Sequence, residues 1–436
     1  MKKLLLVLPQ HQKGYWGHIS KSGKAGMARL SLPVIASLTP PDWDVRIHDA
    51  RLAPVDFKEK VDLVGITAFT AEAFSAYAIA DGFREQGVPV VMGGFHASAM
   101  PEEALQHVDS VVVGEAEPVW EQLLEDLDNK KLQSVYQAEQ LMDMQNMAVP
   151  HRHLLNRNTY STGFNTIQAT RGCPYNCEYC AVSAFFGKKY RVRPVDQVIE
   201  EIRRFDTRNF FFVDDNITGR KTYARELFNA LIPLNRAWGG QTDINIADDE
   251  DLLKLYAKSG GQYAFIGFES LSEANLERMN KSWNSPDRYR KAIKRIRKAG
   301  VSILGSFIFG LDDDDPGVFE RTVDFIKTSG IDAAQFHILT PLPGTRFYND
   351  MEAAGRIVDR DWSNYHTGQV VFTPKGMTAE ELQNGYWWAF RQVYRKTSTL
   401  KRSFSGFKGI QYRVALNLGY RKKALLMPAA AFNPAA

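Results

Sequence analysis

The chain opens with an unbroken apolar run, Lys3 to Leu8 (KLLLVL), the pattern of a strand buried on both faces of a parallel sheet. Short β-branched or apolar runs recur at Asp44 to His48, Leu63 to Ala68, Val88 to Met92 and Ser110 to Val113. Between them, Ala71 to Gln86 places its apolar residues at helical spacing and stops at Gly87, a natural C-terminal stop. Five strands alternating with helices predict a doubly wound, Rossmann-like α/β domain up to about residue 127. Residues 128–165 are polar and weakly periodic and end in Pro150, His151, Arg152 and His153, which predicts an irregular linker. A second alternation then begins. Its strands are expected at Phe164 to Thr170, Asn209 to Val213, Asp243 to Ile246, Ala264 to Phe268, Ser302 to Phe309 and Ala334 to Leu339, with amphipathic helices such as Val195 to Phe205 between them. Six such units predict a parallel partial β/α barrel that binds ligands at the carboxyl ends of its strands. After Asn349 the pattern turns helical. The expected division is a Rossmann-like domain with linker (1–150), a partial barrel (151–348) and a small helical C-terminal region (349–436).

A length of 436 residues with 44% hydrophobic content excludes disorder and leaves room for two or three cores. The net charge of +4 is too near balance to assign a partner, but its distribution is uneven. From Arg391 onward the chain has ten basic residues and no Asp or Glu, so the preceding residues net −6. Phe404, Phe407, Tyr412 and Tyr420 lie among those basic residues, a composition suited to peripheral contact with an anionic membrane and equally to a solvated basic helix. Without a recognisable RNA module, nucleic acid has little support as a partner. No apolar run reaches the roughly 18 to 20 residues of a membrane span, and the first is too short for a signal peptide. Three cysteines cannot build a disulfide framework. A cytoplasmic protein is expected.

All three cysteines fall in Arg171-Gly-Cys173-Pro-Tyr-Asn-Cys177-Glu-Tyr179-Cys180, just after a predicted strand. Thiolates are the soft ligands that iron–sulfur clusters take, and three of them leave one iron of a [4Fe-4S] cubane open to a substrate. A zinc site would want a fourth ligand at finger-like spacing, and the nearest downstream histidine is His337. The Cys-x3-Cys-x2-Cys spacing, with Tyr179 before the last cysteine, resembles the signature of radical S-adenosylmethionine (SAM) enzymes. The resemblance implies that Cys173, Cys177 and Cys180 ligate a cluster that reductively cleaves SAM, giving a 5′-deoxyadenosyl radical that abstracts hydrogen from an unactivated carbon. It implies further cofactor-binding residues: Tyr179 within the cysteine motif and, at the strand ends, Asp214, Asp215 and Asn216 for the SAM amino group and Glu269 and Ser270 for its ribose or carboxylate. Gly305 to Gly310 is similar to the family's adenine segment. The run Asp312 to Asp315, ahead of Pro316 and a helical pattern, reads as helix capping rather than a metal site.

Val90-Val-Met-Gly93-Gly94-Phe-His96 and Val111-Val-Val-Gly114-Glu115-Ala-Glu117 resemble the cobalamin-binding domain that precedes the barrel in one large subgroup, with Gly93 and Gly94 at the cofactor. The loop after the first strand, Pro9-Gln-His11-Gln-Lys-Gly14, departs from the Asp-x-His-x-x-Gly motif that supplies a cobalt ligand elsewhere, so His11 is not assigned as one. The whole arrangement is similar to hopanoid methylases and to enzymes that methylate or cyclise bacteriochlorophyll precursors. That resemblance implies a cobalamin-dependent C-methyltransferase with a small-molecule apolar substrate, lipid or tetrapyrrole, and an electron donor such as flavodoxin or ferredoxin. A radical SAM cyclase, oxidase or coupling enzyme is the alternative, and a non-enzymatic iron–sulfur or cobalamin sensor is a third.

Overall fold

The structure, a computed structural model, describes residues 1–12, 24–160, 165–406, 409–428 and 432. Gly14 of the first loop, Phe164 at the start of an expected strand, and Phe407 and Lys408 of the basic tail lie outside the described residues.

The N-terminal strands are β1 (Lys2–Leu8), β2 (Trp43–Asp49), β3 (Leu63–Thr67), β4 (Val90–Gly93), β5 (Ser110–Val113) and β6 (Val135–Gln137). They form one parallel sheet in the order β2-β1-β3-β4-β5-β6, with the reversal at β1 that marks a doubly wound fold. Leu4 to Leu8 are buried on both faces, as the uninterrupted apolar run requires. The expected linker is more ordered than its composition suggests. It contributes the edge strand β6, whose Val135 and Gln137 are exposed while Tyr136 is buried, so a three-residue strand offers almost no apolar pattern to read.

Further along come β7 (Asn165–Ile167), β8 (Thr170–Arg171), β9 (Arg191–Val192), β10 (Asn209–Phe212), β11 (Ala237–Thr242), β12 (Gly261–Glu269), β13 (Ser302–Phe309) and β14 (Ala333–Ile338). Six of these make a parallel sheet ordered β7-β10-β11-β12-β13-β14, a partial barrel with β7 and β14 at its edges, while β8 and β9 pair antiparallel. One expected strand is misplaced. Ile244–Asp248 is a 3-10 turn, and the strand lies just before it as Ala237–Thr242 (AWGGQT). Two glycines conceal that strand in the sequence, and packing explains them: a Cβ on Gly239 would lie 2.4 Å from the Tyr263 ring on β12.

Of the aspartate run only Asp315 serves the start of the next helix, Val318–Ser329: its carboxylate, paired with Arg321, accepts the N–H groups of Gly317 and Val318, while the N-cap Gly317 has no side-chain cap of its own. The other three carboxylates are tied separately. Buried Asp314 accepts the N–H groups of Gly310 and Leu311, both at 3.0 Å, while Asp312 pairs with Lys375 and Arg356, and Asp313 with Arg278.

The C-terminal helices Ala379–Val393 and Ile410–Leu426 pack beside β14, a cover for an otherwise exposed sheet edge, and Lys396–Ser403 packs on the last of them. Several tail cations point inward. Arg402 donates to Asn417 and stacks on Tyr394, Arg413 sits 3.7 Å from Asp332, and Lys423 lies over the Phe390 ring, where burial pulls its ammonium down to about 8. Asn417 in turn donates to the Asp332 carbonyl at 2.8 Å. The basic tail is therefore partly structural and not simply a solvated helix.

Candidate functional site

A cavity of about 1690 Å³ lies between the carboxyl ends of the N-terminal strands and the cysteine-bearing segment of the barrel. That exceeds the roughly 300 to 1,000 Å³ that one drug-sized ligand occupies. Gly93, Gly94 and Gly114 form part of its wall on the N-terminal side; Arg171, Ala181 to Val182, Ala184 to Phe186 and Asp215 form part of it on the barrel side. Gly94 has φ +94°, and a Cβ there would come within 2.6 Å of Thr67 Oγ1, so no other residue brings the backbone this close to the cavity at low cost.

An aromatic group bridges the two sides. Phe95, directly after Gly94, stacks on Phe185 with centroids 4.4 Å apart, and Phe186 and Phe69 lie at 6.0 and 5.5 Å from the same ring. Phe185 and Phe186 end the helix Ala181–Phe186, which starts immediately after Cys180.

Cys173, Cys177 and Cys180 are unpaired and only partly exposed. Burial pushes the Cys173 thiol up to about 11 and the Cys177 thiol up to about 12, and raises that of Cys180. Such thiols stay protonated alone and lose the proton to a bound metal. Three soft thiol donors on one loop are a set that suits an iron–sulfur cluster, whose own iron and sulfide atoms separate the thiolates.

Beside the triad, Glu269 closes β12 with a left-handed φ of +64°. Its Oε1 accepts from Lys281 Nζ at 2.7 Å and from the Tyr179 hydroxyl at 3.2 Å. Burial alone would lower the Lys281 ammonium, but Glu269 holds it above the usual lysine value. Nothing in the local sequence marks Lys281; it was missed because it reaches Glu269 only through the folded loop after the helix Glu273–Arg278.

The expected SAM residues separate into two groups. Asp215 faces the cavity, and its Oδ2 is buried without a hydrogen-bond partner, an arrangement suited to a cationic group; burial pushes its carboxyl up to about 6. Asp214 differs from expectation. Its carboxylate is fully buried and accepts the backbone N–H groups of Ala169, at 3.0 Å, and Thr170, so it fastens the strand end that leads into the cysteine loop. Asn216 donates to Asp243 at 2.8 Å, and Ser270 accepts from the Ser272 N–H at 3.0 Å; both are spent on loop geometry. His11 lines the cavity with Nε2 at 3.2 Å from Glu72. His337 bonds Thr367 Oγ1 at 2.8 Å, and burial pulls its imidazole down to about 4.

Comparison with known proteins agrees with this geometry. Residues 167–326 match the radical SAM superfamily, residues 30–124 the B12 binding domain, and residues 345–425 a domain of unknown function. Bacteriochlorophyllide d C-12(1)-methyltransferase of Chlorobaculum tepidum is 35% identical over 92% of this chain and 89% of its own length. The chain belongs to the cobalamin-dependent radical SAM methyltransferase family. Hopanoid C-2 methylase of Rhodopseudomonas palustris is a more distant relative of this radical SAM enzyme, 28% identical over 83% of the chain and 72% of that protein. The radical SAM methyltransferase TsrM of Kitasatospora setae, solved with cobalamin and a [4Fe-4S] cluster, superposes over 98% of the chain and 99% of TsrM with a TM-score of 0.69. At 13% identity that likeness is one of fold.

Proposed function

We propose that this radical SAM enzyme methylates an unactivated carbon of a large, flat, apolar substrate of the tetrapyrrole type. The observation that carries the reading is the shared cavity, walled on one side by the strand ends of a B12-type domain and on the other by the segment that bears the three cysteines. Phe95 stacked on Phe185, with Phe186 edge-on to both, gives that cavity a face suited to a conjugated ring, and two bacteriochlorophyllide methyltransferases among the relatives, at 35% and 33% identity, act on such molecules by name.

In this reading Cys173, Cys177 and Cys180 hold the [4Fe-4S] cluster, Asp215 receives the SAM ammonium, and Gly93 and Gly94 let cobalamin approach the sheet. When bound, the cluster would pass an electron to SAM and cobalamin would carry the methyl group. The chain's own part is placement and enclosure. Asp214 fixes the cysteine loop to β10, Tyr179 and Glu269 with Lys281 close its far side, and the aromatic group keeps water from a reactive carbon.

The test is anaerobic reconstitution with cobalamin and SAM carrying a labelled methyl group, offered to tetrapyrrole and hopanoid acceptors. Label in a tetrapyrrole together with 5′-deoxyadenosine is the expected result. Label only in a hopanoid would move the substrate to the polycyclic lipids, and an altered but unlabelled tetrapyrrole would indicate cyclisation. Cys177→Ala should lose both the iron–sulfur absorbance and 5′-deoxyadenosine formation.

We also propose that the enzyme docks on an anionic bilayer. Among the described residues no helix is long and apolar enough to cross a membrane, so the contact would be peripheral. Leu418, Leu425 and Leu426 are 55%, 66% and 67% exposed on the last helix, close in sequence to exposed Lys422. Lys422 and Leu426 also line the cavity, which supports passage of an apolar substrate from the membrane.

A further inference from the structure

The segment carrying the cysteines is gripped at both ends by one carboxylate of the other domain. Arg171, two residues before Cys173, donates from one guanidinium nitrogen to Glu115 Oε1 at 2.7 Å and from another to Glu117 Oε1 at 2.5 Å. Arg191, on the strand that returns from the cysteine helix, donates to Glu115 Oε2 at 2.8 Å and to the Met142 carbonyl at 2.8 Å. Glu115 also accepts the Met142 N–H at 2.8 Å. Glu115, Arg171 and Arg191 are 5%, 6% and 7% exposed, so these charges meet out of water.

The two domains contribute opposite signs. Both arginines belong to the antiparallel pair β8–β9 that brackets the cysteine loop, and both glutamates belong to the loop after β5, which lines the cavity through Gly114, Glu115 and Glu117. The arginines are not equivalent. Arg171 keeps Glu117 if Glu115 is lost, whereas Glu115 is the carboxylate paired with Arg191, whose Nε and second terminal nitrogen are already buried without partners. A buried ion set of this kind adds little stability over apolar packing of the same volume; what it supplies is direction and register.

We propose that Glu115 is a positioning residue that couples occupancy of the B12-type site to occupancy of the cluster site. A ligand that settles the loop after β5 fixes Glu115, and Glu115 fixes both ends of the cysteine segment through Arg171 and Arg191. Coupling between two binding sites is reciprocal, so cluster assembly must strengthen cobalamin binding by the same factor. The inference rests on the reading of the cavity as a cobalamin site.

The experiment measures the Kd of hydroxocobalamin for the full chain with and without the reconstituted cluster, in wild type and in Glu115→Gln. In wild type the cluster should tighten binding at least about fivefold, the lower end of usual coupling. In Glu115→Gln the two Kd values should agree within about twofold while cluster absorbance is retained, an outcome that simple loss of stability does not produce. The double variant Glu115→Gln/Arg191→Met leaves Arg191's charge absent instead of unpaired, and should also lose the coupling if the single variant is too unstable to measure. An unchanged wild-type ratio in either variant, or equal affinities in wild type, would overturn the role of Glu115 alone. No hydroxocobalamin binding in any state would overturn the cobalamin reading as well.

Discussion

Lys281→Met is expected to be among the most damaging single changes in the barrel that touch no cysteine. Lys281 and Glu269 are each 8% exposed, with Nζ and Oε1 2.7 Å apart. Removing the ammonium leaves a buried carboxylate whose remaining donors among the described residues are the Tyr179 hydroxyl at 3.2 Å and Ser306 at 3.4 Å. Breaking a buried pair in this way costs about 3 to 5 kcal/mol, whereas an exposed pair would cost about 0 to 1. Glu269 adds a reason for the upper half of that range, because its left-handed backbone is itself a strain of about 1 to 3 kcal/mol that the ion pair helps to hold. With a urea m-value of about 2 kcal/mol per molar, the loss moves the unfolding midpoint down by about 1.5 to 2.5 M. Equilibrium urea unfolding followed by near-UV circular dichroism reads this directly. The double variant Lys281→Met/Glu269→Gln removes both charges and should recover most of the loss. A single-variant cost below about 1 kcal/mol, or a double variant no better than the single, would refute the argument that the pair is buried and mutually dependent.

Gly94→Ala should abolish detectable cobalamin retention on gel filtration while leaving the cluster absorbance intact, because φ +94° and the 2.6 Å approach to Thr67 force the cavity wall to shift; unchanged retention would show that this wall does not seat the cofactor. His337 is held neutral in the folded chain, with its pKa pulled down to about 4 from 6.5, so the unfolded state binds the proton first as pH falls. Its contribution is complete above about pH 6.5 and drains away toward pH 4, and His337→Gln should flatten that part of a stability-against-pH curve, a slope identical to wild type being the contrary result. Leu425→Ser/Leu426→Ser should weaken salt-sensitive binding to phosphatidylserine vesicles with the fold intact by circular dichroism; equal binding by the variant would remove the last helix as the membrane contact.

Sequence alone determined the chemistry and the layer plan. Cys173, Cys177 and Cys180 use every thiol in the chain at one spacing, a local signal that needs no tertiary context. The runs of β1, β3, β5 and β13 were legible because strands buried on both faces are nearly apolar throughout, and β10, β12 and β14 because their buried apolar residues alternate with half-buried ones. Tertiary structure decided which of the polar residues at the strand ends remain available. Asp214 and Asp215 are adjacent and chemically identical, yet one is consumed by the N–H groups of Ala169 and Thr170 and the other keeps a free oxygen beside the cavity. Successive residues at the end of a strand point to opposite sides, and nothing in composition says which side holds the ligand. The same physics hid β11, whose glycines answer to the Tyr263 ring 24 residues away from Gly239, and the partnership of Glu115 with Arg171 and Arg191, 56 and 76 residues distant. Burial turned Arg413, Arg402 and Lys423 of an apparently solvated basic tail toward Asp332, Tyr394 and Phe390, because long cationic side chains pack their stems wherever a carboxylate or ring receives the charge. Local pattern fixes the element and the reactive group; only the fold sets which distant partner each polar atom meets, and so which atoms are left for chemistry.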